Sequence, residues 1–305
     1  MITRFNNILF YADGAKSELS ALRRCCTLAG HAGAAVTVLG VVDEVSTNDL
    51  QLQPAIRRIQ KSMMAERQVQ LDQYLAQLGA DAEGVKLSSA VVAGKDYLSV
   101  IERARDGRFD LIVKASQPSS AMSEVIFGAI DLRLVHHAPC PVLVLKPSRR
   151  KTMRDLLLAV DPLAETREES VLNESLLSMG ASLAELEDAT LHLLHVLEPA
   201  PVGKQHQRGD ELAGLEQALK DDVTRRLQVL KSPYDASGLV EHLRRGRPHL
   251  EIADYVQTHD IDLLIMGSVG RSGIAGIVVG NTAEKILRHV DCSVLVLKPE
   301  GWAGK

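Results

Sequence analysis

Apolar residues along this chain follow two alternating rhythms. Short runs rich in Val, Ile and Leu, such as "NNILFYADG" and "SVLVLKP", have the length of buried strands, and between them lie longer stretches with helical spacing. The pattern predicts strands at Asn7 to Ala12, Ala35 to Val42, Val85 to Val92, Asp110 to Ala115 and Pro141 to Lys146. It predicts five more at Asp155 to Val160, Thr190 to Leu197, Leu239 to Arg244, Ile261 to Met266 and Ser293 to Lys298. Each half reads strand, helix, strand, long helix, strand, helix, strand, helix, strand. Strands that alternate with helices imply a parallel sheet covered on both faces. The expected fold class is therefore α/β, with two doubly wound, five-stranded, Rossmann-like parallel sheets in tandem.

The halves are copies of one pattern. "DLIVKASQPSSAMSEVIFGAIDLRLVHHAPCPVLVLKP" lies over "DLLIMGSVGRSGIAGIVVGNTAEKILRHVDCSVLVLKP" without a gap at a constant offset of 152, and 13 of the 38 positions are identical. Composition alone would give about two or three matches. Gly94 and Gly246 keep the same offset, and Asp13 and Asp161 each end the first apolar run of their half. The basic connector "KPSRRKTMRD" separates the copies, so the expected domains are 1–148 and 153–300.

Length and composition agree with two folded domains: 305 residues, 46% apolar and 24% charged. A net charge of −4 offers no general attraction for nucleic acid or an anionic membrane. No apolar run approaches the ~18 residues of a spanning helix, and "MITRFNNILFYADG" lacks the pattern of a signal peptide, so a cytoplasmic location is expected. Cys25, Cys26, Cys140 and Cys292 form no CxxC or zinc spacing and read as packed, reduced thiols.

In open α/β sheets, ligands bind beyond the carboxyl ends of the strands where the winding reverses. With strand order 3-2-1-4-5, that rule brings Asp161 and Gly267 together and lays "GSVGRSGIAGIVVGN" across the crevice. The loop is neither a Walker A motif nor GxGxxG. Gly270 and Gly280 would let a phosphate approach the main chain, Arg271 and Ser272 can add a charge and a hydroxyl, and Asn281 with Glu284 has a capping-box pattern at the next helix. Turn geometry alone also explains the glycines, and Asp161 followed by Pro162 is equally a ready helix N-cap. His192 and His195 are three apart on a strand and point to opposite faces, so they read as packed side chains rather than metal ligands. No nucleophile stands beside a base, so catalysis is not expected.

Through these residues the chain resembles the universal stress protein (UspA) family, whose nucleotide-binding members carry G-x2-G-x9-G-(S/T) after the fourth strand. Gly267, Gly270 and Gly280 match, with Asn281 in place of Ser or Thr. The duplicated layout is similar to the tandem, UspE-like subgroup and its adenine nucleotide α-hydrolase-like fold. The resemblance implies Asp161 on the ribose, Val196 beside adenine, Met266 and Gly267 near base and ribose, and Gly270, Gly280, Asn281 and Thr282 around the phosphates of ATP with Mg²⁺. It implies a non-catalytic stress-response protein acting through bound nucleotide, with the halves paired as a pseudo-dimer through Val142 to Lys146 and Val294 to Lys298. The first half has Ala115, Pro118 and Ala129 at motif positions and keeps only Gly128, so no ATP is expected there. Three other readings stay open: an interaction scaffold without nucleotide, a carrier of an amphipathic or nucleotide-linked metabolite, and a slow ATPase.

Overall fold

The computed structural model describes residues 5–15, 17–116, 127–147, 152–198, 209–268, 281–299 and 301–302, with backbone alone for 209–213, 235–237 and 281. The chain divides into two compact units. The first contains β1 (Asn7–Ala12), α1 (Glu18–Ala32), β2 (Ala35–Val42), α2 (Gln53–Leu78), β3 (Lys86–Ala93), α3 (Asp96–Asp106), β4 (Leu111–Ala115), α4 (Ala129–His137) and β5 (Val142–Leu145). The second contains β6 (Asp155–Ala159), α5 (Arg167–Glu187), β7 (Thr190–Leu197), α6 (Gly209–Lys231), β8 (Val240–Arg245), α7 (Pro248–Thr258), β9 (Leu263–Gly267), α8 (Asn281–Leu287) and β10 (Ser293–Leu297).

Within the first unit the strand order is β3-β2-β1-β4-β5, all parallel. The second unit repeats it as β8-β7-β6-β9-β10. Consecutive residues of the central strands are fully buried, Ile8, Leu9 and Phe10 in β1 and Leu156, Leu157 and Leu158 in β6. Such runs arise only where helices cover both faces. Gly180 lets α5 seat closely on β6, because a Cβ there would come within 2.7 Å of Leu158. All four cysteines are buried, and none is in a disulfide.

The repeated positions have physical reasons. Asp110, expected to begin a strand, and Asp262, expected to be the second residue of one, instead lie just before β4 and β9. Their carboxylates accept from the backbone N–H groups that open the neighbouring strand: Asn6 at 2.7 Å and Asn7 at 3.0 Å in one unit, Arg154 at 2.7 Å and Asp155 at 3.3 Å in the other. Gly94 and Gly246 follow the edge strands at φ of 157°, and an added Cβ would collide with Ser99 Oγ in one case and the Glu251 carboxylate in the other. Among the described residues no helix is long and apolar enough to cross a membrane.

Candidate functional site

The second unit's crevice forms where β7, β6 and β9 end side by side. Ala159 pairs with Leu194 on one side and Met266 on the other, so Asp161, Val196 and Gly267 emerge at the same end of the sheet. Val196 and Met266 are buried, Gly267 is half-buried, and Thr282 is half-buried in the first turn of α8. Gly270, Arg271, Ser272 and Gly280 lie outside the described residues, as does the side chain of Asn281, whose backbone opens α8.

Asp161 is held by a residue that sequence reasoning passed over. Buried Asn173 of α5 accepts from the Asp161 N–H at 3.3 Å and donates to its carbonyl at 2.7 Å. The Asp161 carboxylate accepts from Leu163 N–H at 3.1 Å, closing an Asx turn. The helix-capping reading of Asp161 is therefore wrong. Helix α5 starts later, capped by Thr166, whose Oγ1 accepts from Glu169 N–H at 3.2 Å while the Glu169 carboxylate accepts from Thr166 N–H at 3.1 Å. The Glu284 carboxylate accepts from Arg288 Nη2 at 2.7 Å, one turn along α8. Ser268, directly after Gly267, is fully buried, and its hydroxyl has no hydrogen-bond partner among the described residues.

The first unit fills the same place with charge. Lys114, the penultimate residue of β4, is 2% exposed, and its ammonium lies 2.7 Å from Asp13 Oδ2 and 2.9 Å from Asp131 Oδ1 while donating to the Ala115 carbonyl at 2.9 Å. Burial by itself would lower the Lys114 pKa, but Asp131 and Asp13 outweigh it and hold the ammonium above its ordinary range. Burial also raises the Asp131 carboxyl, against the pull of Lys114, with a smaller upward push from Asp13. The other Asp131 oxygen accepts from Gly128 N–H at 2.8 Å, occupying an amide at the start of α4 that an anion would otherwise use. At the 152 offset Lys114 corresponds to Met266 and Asp131 to Ala283, so the second unit has neither the cation nor its second acid. A lysine in the midst of "DLIVKA" was the sequence signal for this cluster.

A family model described as the universal stress protein family matches residues 4–146 and 153–298. The chain belongs to this family. As a tandem, two-domain member it is similar to the universal stress protein E homolog of Haemophilus influenzae, 25% identical over 97% of this chain and 98% of that one. Universal stress protein E of Escherichia coli K12 is 25% identical over 97% of this chain and 95% of its own length. Among solved structures, a putative universal stress protein from Pseudomonas aeruginosa UCBPP-PA14 superposes with a TM-score of 0.71 at 26% identity, covering 97% of this chain and 94% of that one.

At the opposite end of the second sheet lies a histidine cluster. His192 Nδ1 is 2.9 Å from the Tyr255 hydroxyl and its Nε2 is 3.3 Å from Asp155 Oδ1. The His242 ring stacks on His192 at 5.6 Å, and His259 stacks on Tyr255 at 3.8 Å. His195 faces the other side of β7 and bonds the Val160 carbonyl at 2.9 Å, as strand alternation requires. Among the described residues no group of His, Cys, Asp or Glu is arranged to hold a metal ion.

Burial, together with His192, His259 and Arg244, lowers the His242 pKa from 6.5, against a smaller opposing pull from Glu241. The folded state then binds fewer protons than the unfolded one below pH 6.5. The stability tied to His242 is whole above that pH and lost as pH falls through and below it. His242→Gln is expected to flatten the fall in melting temperature between neutral and mildly acid pH. Equal slopes for both proteins would show that another group carries the acid sensitivity.

Proposed function

We propose that this universal stress protein is non-catalytic and binds one adenine nucleotide, ATP, in the crevice of its second unit, so that the bound state alters its contacts with other proteins. The contrast between the crevices supports this reading. Lys114 ties up both Asp13 and Asp131 in the first, whereas Asp161 of the second is clamped through its backbone by Asn173 beside apolar Met266 and Ala283. That arrangement fits a ribose hydroxyl on Asp161 and a base against Val196 and Met266, in a crevice at the usual place for the fold. Gly267, Gly270, Gly280, Asn281 and Thr282 would surround the phosphates, with Arg271 and Ser272 beside them. Mg²⁺ would arrive on those phosphates rather than in a dedicated protein site.

Native mass spectrometry before and after addition of ATP with Mg²⁺ tests the proposal. One nucleotide per chain is expected, with Asp161→Ala losing it while the fold is kept. No mass shift would overturn this reading in favour of a scaffold that has lost its ligand, and a co-purified non-nucleotide mass would favour the carrier.

A further inference from the structure

The two units differ in how they treat the outer strands β3 and β8. β8, "VEHLRR", is guarded by charge: Glu241 pairs with Lys231 at 2.8 Å, Arg244 with Asp254, and Arg245 with Glu216 of α6. Such pairs are how sheets discourage another chain from adding on. β3, "KLSSAVVA", pairs with β2 and stands at the end of the strand order, and after Lys86 it carries no charge. Nothing in its sequence defends the edge.

Beside this edge runs a groove of about 490 Å³ between α2 and Val91. Its helix wall is a single stripe containing Arg57, Lys61, Met64 and Gln68, which recur at the spacing of one helix face. Met64 and Val91 make the apolar floor. The amides are already committed: Gln60 bonds Val45 N–H at 2.8 Å and the Asp43 carbonyl at 3.1 Å, and Gln68 bonds Ser89 Oγ at 2.6 Å. The cations are not. Arg57 and Lys61 are exposed and have no ion-pair partner among the described residues; the acids further along α2 accept from neutral groups, Glu66 from Ser62 Oγ at 3.2 Å and Asp72 from Gln68 at 2.9 Å and Ser89 at 2.8 Å, and so confine the positive stretch to the Arg57 end of the groove. From Arg57 to Gln68 the helix rises about 16 Å, the length of roughly five residues of extended chain.

We propose that β3 and this groove are a docking site for an extended acidic segment of a partner protein, added as a further strand with its carboxylates between Arg57 and Lys61. Backbone hydrogen bonds to β3 would supply affinity, and alternate side chains entering the groove would supply selectivity. A strand edge with no further strand beside it among the described residues offers backbone hydrogen-bonding groups that a peptide can use and a lipid surface cannot. This site is separate from the nucleotide crevice, so the two proposals fail independently.

The test is fluorescence anisotropy on the full chain with a labelled peptide of alternating glutamate and valine. Saturable binding is expected, weakened about tenfold or more by Arg57→Glu with Lys61→Glu. The double variant should melt like the parent, since both side chains are exposed. Replacing glutamate by lysine in the peptide, or methylating its backbone amides, should also abolish binding. Binding that survives charge reversal or amide methylation would overturn strand addition. So would capture of anionic vesicles in place of the peptide through the same two cations.

Discussion

Lys114→Met is expected to cost about 3–5 kcal/mol of the first unit's stability, the range for removing one partner of a buried ion pair. Lys114, Asp13 and Asp131 are each at most 6% exposed on their side chains, so water cannot replace the lost partner. Removing the ammonium leaves two carboxylates facing each other, a repulsion relieved only by taking up a proton. Asp131→Ala should cost less, because Lys114 keeps Asp13 at 2.7 Å, although Gly128 N–H loses its acceptor. The double variant, Lys114→Met with Asp131→Ala, installs the residues of the second unit and should recover part of the loss. Urea unfolding of the four proteins gives the coupling energy directly. Additive losses would mean that the three groups do not act as a unit.

That cluster also marks the limit of what the sequence disclosed. Alternation of strands and helices, the 152-residue repeat and the strand order were legible because burial on both faces writes long apolar runs into each central strand. Strands Asn7–Ala12, Ala35–Val42 and Thr190–Leu197 match their expected bounds. Elsewhere the ends shifted by a residue or two where side chains took over hydrogen bonds, as Asp110 and Asp262 do. Asp161 was legible as a crevice residue, but its role as a cap was not excluded, since the true cap, Thr166, lies five residues on. Asn173 was missed because a polar residue twelve positions downstream on a helix carries no local signal. Its significance exists only once α5 packs across the end of β6. Lys114 was visible as an oddity within an apolar strand, yet the partner that makes it tolerable, Asp131, comes from a helix seventeen residues away.

Installing the first unit's charges in the second is expected to abolish nucleotide binding. Met266→Lys with Ala283→Asp would recreate the Lys114 and Asp131 pair beside Asp161, at positions equivalent in both strand and helix, since β4 and β9 begin at Leu111 and Leu263 and α4 and α8 at Ala129 and Asn281. The new ammonium would take the Asp161 carboxylate, which the proposed site reserves for the ribose, and fill space assigned to the base. The new aspartate would place a negative charge at the phosphate end. Losing a charge-assisted hydrogen bond alone is worth about 1.5–3 kcal/mol, or on the order of 100-fold in affinity, and the added repulsion at the phosphates should take ATP binding below what calorimetry detects. Met266→Lys alone should destabilise the second unit more than the pair does, because its ammonium would share only one acid. The double variant should therefore melt closer to the parent than the single one while failing to bind ATP. If instead it binds ATP as tightly as the parent, the crevice between β6 and β9 is not where the nucleotide sits, and the difference between the two units concerns stability alone.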